Sequence, residues 1–136
     1  MKKNLNNILI ILVLTFFAVE GFAQMHISTN LRQDAVYNET TEKFEILSED
    51  ENQLTFFDFN KEFTMFKHTT PTITSAYLIK SFEEDEMNEV WEGDIVSDVG
   101  NHYYLILDLK NEYISFVYES DGTTYAVIHR IKRMWF

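Results

Sequence analysis

The sequence predicts an all-β fold: an antiparallel up-and-down meander of about 8–9 short strands, curled into a small barrel or barrel-like sheet. Three observations carry this expectation. Short runs rich in β-branched and aromatic residues recur about every ten positions with turn residues between them. No stretch shows a competing helical period. The turns of the C-terminal half set registers that gather apolar side chains on one face, and a slip of one residue would exchange the faces.

The first 23 residues read as a signal peptide. Lys2 and Lys3 form a positive start, Ile8 to Val19 is an apolar run, and Gly21-Phe22-Ala23 supplies small residues at the positions a signal peptidase requires. The run of about 12 apolar residues falls short of the ~20 that span a bilayer as a helix, so an uncleaved anchor is disfavoured. With no Cys in the chain there is no acceptor for a lipidated N-terminus, no thiol nucleophile and no thiolate metal ligand. Cleavage after Ala23 leaves residues 24–136, expected to form one domain, exported and soluble, in a bacterial periplasm or outside the cell. That segment carries 9 Lys+Arg against 21 Asp+Glu, a formal charge of −12. Nucleic acid and anionic membrane surfaces are therefore poor partners, because both are held by clustered cations. No second hydrophobic segment is long enough to be a transmembrane helix in the mature chain.

Strands are expected near 26–31, 43–48, 53–59, 62–68, 73–81, 89–98, 102–109, 112–119 and 123–132, with 24–42 the least well placed stretch. His68-Thr-Thr-Pro71 reads as a turn between two of them. Asp121-Gly122 is a strong two-residue hairpin signal, since both positions of a type I′ turn need positive φ. It sets Tyr118 opposite Tyr125, Phe116 opposite Val127 and Ile114 opposite His129. A two-residue turn at Lys110-Asn111 adds Leu107 beside Ile114, Leu105 beside Phe116 and Tyr103 beside Tyr118. A three-residue loop at Val99-Gly100-Asn101 brings Trp91, Ile95 and Ser97 to the same face. The expected core face is Trp91, Ile95, Tyr103, Leu105, Leu107, Ile114, Phe116, Tyr118, Tyr125, Val127, His129 and Ile131, continued by Ile73, Tyr77 and Ile79.

Such a face has to be covered, and sequential short turns favour curling into a barrel over a second packed sheet. An outer-membrane barrel is disfavoured. Stepping back by twos from Phe136 would point Lys132 and Arg130 at lipid, at about 2–4 kcal/mol each near the midplane. In outline the 8–9-strand meander resembles the calycin, or lipocalin-like, small-ligand carriers, and that likeness implies a ligand held inside the curl.

The candidate ligand residues are Trp91, Tyr103, Tyr118, Tyr125, His129 and Arg133. The tyrosines form a cross-strand row, which either stabilises the sheet alone or walls a pocket with phenol donors. His129 falls on the apolar face, with Ser97 or a tyrosine hydroxyl as its expected partner, and Arg133 four residues on along the same side. A second candidate is the acidic run Glu83 to Glu86 with Glu89, Glu92 and Asp94, seven carboxylates in twelve residues. It lacks the alternation and Gly bend of a calcium loop, so it reads as a solvated loop or, through Glu84, Asp85 and Glu86, a site for a cationic protein. The four histidines have no zinc-ligand spacing, and no metal or cofactor is expected. Hydrolase and phosphate-loop motifs are missing. Non-catalytic binding of a small apolar or amphiphilic ligand is the leading expectation, and an acidic interaction or inhibitor module the alternative.

Overall fold

The computed structural model describes residues 24–51 and 53–136; the signal peptide expected over 1–23 lies outside them. The described chain is a single antiparallel sheet of ten strands: β1 (Met25–Asn38), β2 (Lys43–Asp50), β3 (Thr55–Phe59), β4 (Met65–Thr69), β5 (Thr74–Ile79), β6 (Glu83–Asp85), β7 (Val90–Ser97), β8 (His102–Asp108), β9 (Tyr113–Ser120) and β10 (Thr123–Trp135). Eight of these close a barrel in the order β1-β3-β4-β5-β7-β8-β9-β10, with β10 returning to β1. The remaining two sit outside the ring: β2 on the C-terminal half of β1, and β6 on the N-terminal half of β7. The all-β meander and its curl are thus as the sequence predicts.

The seam is built by the two longest strands. Of residues 32–42, unplaced by sequence, 32–38 continue β1 for a further half-strand that pairs β10 and β2, and 39–42 form the turn into β2. The β1–β10 register shifts between Ser28 and Leu31, and this bulge changes which residues point inward. Thr29 opposes Ile131, whereas Arg32 opposes His129. Met25, Ile27 and Thr29 therefore face the lumen before the bulge, and Arg32, Asp34 and Val36 after it.

The hairpins explain the registers. Tyr118↔Tyr125, Phe116↔Val127, Ile114↔His129, Leu107↔Ile114 and Leu105↔Phe116 all pair as expected. Asp121 and Gly122 both have positive φ, as a type I′ turn demands. Between β8 and β9 the last strand pair is Asp108↔Tyr113, so the connection is four residues long, not two. Its centre is the same, and the register survives. The β7–β8 loop has three residues as expected, but they are Asp98–Gly100, since the Ser97 N–H donates to the Asn101 carbonyl. Gly100, at φ +87°, fills the left-handed last position that such loops require.

One turn design recurs. The β1–β2, β6–β7 and β8–β9 hairpins each begin with an Asx residue and end four residues later on a glutamate at positive φ: Asn38 with Glu42, Asp85 with Glu89, Asp108 with Glu112. In each, the Asx side-chain oxygen accepts a backbone N–H from within the turn, from Thr40, Asn88 and Asn111 respectively.

The lumen is a packed core. Phe57, Phe59, Phe66, Ile27, Ile95, Leu107 and Ile114 are essentially inaccessible, and Phe63, Ile79, Trp91, Tyr103, Leu109 and Val127 pack against them. Ile73, expected on this face, is instead exposed, because it precedes β5 in the turn that follows Pro71. Gly93 on β7 is required by a close approach: a Cβ there would lie 1.8 Å from the Ser81 carbonyl oxygen.

Candidate functional site

The barrel interior divides into two halves. At one end lie Phe59, Phe63, Phe66 and Trp91, with Phe59 stacked on Phe63 at 4.9 Å and Phe63 edge-on to Trp91 at 5.1 Å. At the other end stand the tyrosines. Tyr103 meets Tyr118 edge-on at 5.8 Å, and Tyr118 stacks on Tyr125 at 5.5 Å. Trp91 pairs with Leu107, four residues from Tyr103 on β8, or roughly 13 Å along a strand. The structure thus brings the three tyrosines together and separates Trp91 from them.

Between the halves sit two imidazoles. His129 is 2% exposed and edge-on to Phe57 at 5.1 Å. His68 stacks flat on Phe57 at 4.7 Å and stands 5.8 Å from His129. It is not a turn residue: Phe57↔His68 and His68↔Ser75 pair it within β4, and the turn begins only after Thr69. Tyr77 on β5 completes this layer, 6.2 Å from His68 and 6.0 Å from Tyr103.

A charged pair from β1 closes on the layer. Arg32, directly opposite His129 across the seam, donates through Nη2 to Asp34 Oδ1 at 3.0 Å. The other carboxylate oxygen of Asp34 accepts from Ser48 Oγ on β2 at 3.2 Å. Both side chains of the pair are somewhat over one-third exposed. They are the polar rim of an otherwise aromatic interior.

The electrostatics follow from this placement. Burial, and then the nearby Arg32 charge, push the His68 pKa down to about 4. Burial, the adjacent His68 and Arg32 push His129 down to about 3, against a small opposing pull from Asp34. Burial, reinforced by Tyr103 and Asp98, pushes Tyr77 up to about 12. Both imidazoles and the phenol are therefore neutral at pH 7.

Four buried polar atoms here and beside the seam have no hydrogen-bond partner among the described residues: His129 Nδ1, His68 Nε2, Thr29 Oγ1 and Thr55 Oγ1. The expected partners of His129 are not used. Ser97 Oγ accepts instead from the Asn101 N–H at 3.0 Å, holding the β7–β8 loop. Buried polar groups are ordinarily satisfied by protein or water, and no described protein group satisfies these four.

Arg133 does not belong to the site. The irregularity that pairs Ser28 with Arg133 but Thr29 with Ile131 turns Arg133 to the outer surface, where its guanidinium lies 5.2 Å over the Trp135 ring. Trp135 in turn stacks on His26 at 5.4 Å, and His26 Nδ1 is 2.6 Å from Asp58 Oδ1. This outer cluster ties β1, β3 and β10 together.

The acidic run is ordered rather than a free loop. Glu83, Glu84 and Asp85 form β6, paired with Glu92, Trp91 and Val90. Asp85 is occupied by its turn, accepting from the Asn88 backbone N–H and Nδ2, which hold its carboxyl below the usual range. Glu84 and Glu86 are exposed. Glu83, Glu84, Asp85 and Glu92 line an open groove together with Lys110 and Asn111. Among the described residues no group of three or more His, Asp or Glu side chains is arranged to hold a metal ion.

Arg32, Asp34 and His68 were invisible as site residues in the sequence. Arg32-Gln-Asp34 has the alternation of a strand but no β-branched or aromatic residue to announce one. Closure is the signal that locates it, because a first strand pairing with the last sets Arg32 against His129. Comparison with protein-family models, with curated proteins and with solved structures finds no significant match to this chain.

Proposed function

We propose that this chain is an exported, soluble, non-catalytic binding protein that takes a small apolar or amphiphilic molecule at the tyrosine-lined end of its barrel. The observation that carries this reading is the row of Tyr103, Tyr118 and Tyr125, half-buried and in ring contact from each to the next, at the end of the barrel beyond the layer of buried His129. Small-molecule sites combine apolar walls with a few placed polar groups in this way. Phe57 and Phe116 fill the middle of the barrel, so the ligand sits shallowly, against the tyrosines. The carrier-like outline supports the same reading by architectural analogy. Solubility is supported by the direction of the faces: the lumen is apolar, whereas Asp58, Lys67, Glu92 and Asp94 fall on the outer face, the reverse of a membrane barrel.

Native mass spectrometry of protein recovered from the exported fraction tests the reading. A discrete small-molecule increment is expected on the native mass, and lost in a Tyr118→Ala/Tyr125→Ala variant that still folds. An increment retained by that variant would count against the site.

A second reading has its own observation. The side-by-side placement of Glu83, Glu84, Asp85 and Glu92 in one groove suits a cationic protein partner. Charge reversal at Glu84 and Glu86, which leaves the Asp85 turn intact, should then abolish salt-sensitive association. Unchanged association would remove this reading.

A further inference from the structure

Independently of both readings above, we infer that the free edge of β2 docks an extended segment of a partner protein, one in which apolar residues alternate with lysine or arginine. Among the described residues, two strands have a neighbour on one side only: β6 on β7, and β2 on β1. β6 is short and wholly acidic, which is how natural sheet edges are guarded. β2 is different. It runs for eight residues, all of them exposed, and about half of its N–H and C=O groups point away from β1.

On the outer face of β2, Phe44 and Ile46, 37% and 48% exposed, extend the apolar surface of Tyr37 and Ala35 on β1. Phe44 meets Tyr37 edge-on at 5.3 Å, and Ala35 pairs in turn with Ala126 on β10. An added strand therefore finds cross-strand packing as well as main-chain bonds. Glu49 shares this outer face, and Glu45 takes the opposite one. Each carboxylate accepts from a side-chain amide at 2.8 Å, Glu45 from Asn38 Nδ2 and Glu49 from Gln33 Nε2. These bonds hold two anions beside the edge, and neither has an ion pair among the described residues.

The charges select the occupant. Lys43 is the one cation on β2, against Glu45, Glu49 and Asp50. A two-fold pairing of two copies would bring this excess of acid on each strand edge to edge. Leu47 has no partner on β1 and is the extra residue of a bulge between Ile46 and Ser48. It bends the edge, a further device against pairing of like edges, whereas a flexible segment follows the bend. A neutral segment would gain nothing from Glu45 and Glu49. A cationic one gains from both while its apolar residues lie beside Phe44 and Ile46.

Isothermal titration with a peptide of about eight residues, alternating valine and lysine to match the length of the edge, tests the assignment. Binding that weakens with salt is expected, and a valine–glutamate peptide should not bind. The valine–lysine peptide N-methylated at every residue keeps its side chains and charge but cannot join the ladder, and should lose at least about tenfold in affinity. Phe44→Ser/Ile46→Ser, at exposed positions, should also cost at least about tenfold, and Glu45→Lys/Glu49→Lys should abolish binding. Ile73→Ser, which removes an exposed apolar side chain elsewhere, and Glu84→Lys/Glu86→Lys, beside the acidic groove, should change nothing. Equal affinity of the N-methylated peptide would overturn strand addition, and so would a wild-type protein that does not bind. Loss of binding in Glu84→Lys/Glu86→Lys but not in the β2 variants would move the cationic partner to the groove and overturn this inference alone. A dimer in sedimentation equilibrium that disappears in Phe44→Ser/Ile46→Ser would make a second copy the occupant and overturn the choice of partner.

Discussion

His129 makes the acid stability of this protein calculable. In the unfolded chain its imidazole titrates near the ordinary histidine value of 6.5, whereas burial and the neighbouring His68 and Arg32 lower it in the fold to about 3. Between these values the unfolded chain holds more protons than the folded one, so stability rises with pH across the window. The contribution is complete above about pH 7, falls as the pH drops through 6.5, and levels off only near 3. For a group 98% buried, most of the shift acts on stability. One pKa unit corresponds to about 1.4 kcal/mol, which makes the loss between pH 7 and pH 4 about 3 kcal/mol from this residue alone. His129→Phe removes the titration and leaves a ring of similar size among Phe57 and Phe116. Urea unfolding of both proteins at pH 7 and at pH 4 is the assay. Carboxylates that titrate in the same range are common to the two proteins and cancel in the comparison. The variant should lose about 3 kcal/mol less than the wild type over that interval, and at pH 7 it should be no less stable, because an unpartnered buried nitrogen has gone. Equal losses in the two proteins would refute the placement of a neutral, desolvated imidazole in the lumen.

Three further outcomes follow from the packing and the turns. Phe57→Ala empties the centre of the ring cluster, where Phe57 contacts Phe66, Phe116, His68 and His129; thermal unfolding should report a loss of about 3–5 kcal/mol. Gly93→Ala sets a methyl group against the backbone of Ser81 and Phe82, and because backbone cannot rotate away, it should destabilise by more than about 2 kcal/mol or prevent recovery of folded protein. Glu89→Gly relieves a left-handed non-glycine residue at φ 55° and should stabilise by up to about 1 kcal/mol in chemical denaturation, the strain removed being partly offset by the flexibility glycine adds to the unfolded chain.

The strand pattern and the C-terminal registers were legible without the structure because they rest on local chemistry. Asp121-Gly122 has few alternatives as a turn, and once it is set, Tyr118, Phe116 and Ile114 must share a face with Tyr125, Val127 and His129. The errors were equally local. A two-residue and a four-residue turn about Lys110-Asn111 share a centre, so register cannot tell them apart, and the left-handed glutamates at 42, 89 and 112 carry no residue-type signal of positive φ.

What local pattern cannot supply is the meeting of distant segments. Arg32 and His129 are 97 positions apart, and their opposition depends on barrel closure and on a bulge whose position the sequence does not mark. The same seam irregularity sends Arg133 outward, where alternation alone would have kept it beside His129. The amino-acid sequence by itself determined the all-β meander, the Asp121-Gly122 hairpin and the tyrosine row, because neighbouring strands are related by short, chemically specific connections. Only the tertiary structure decided which residues complete the site, because a barrel's first and last strands are joined by no turn, and their register is set by the packing of the whole ring.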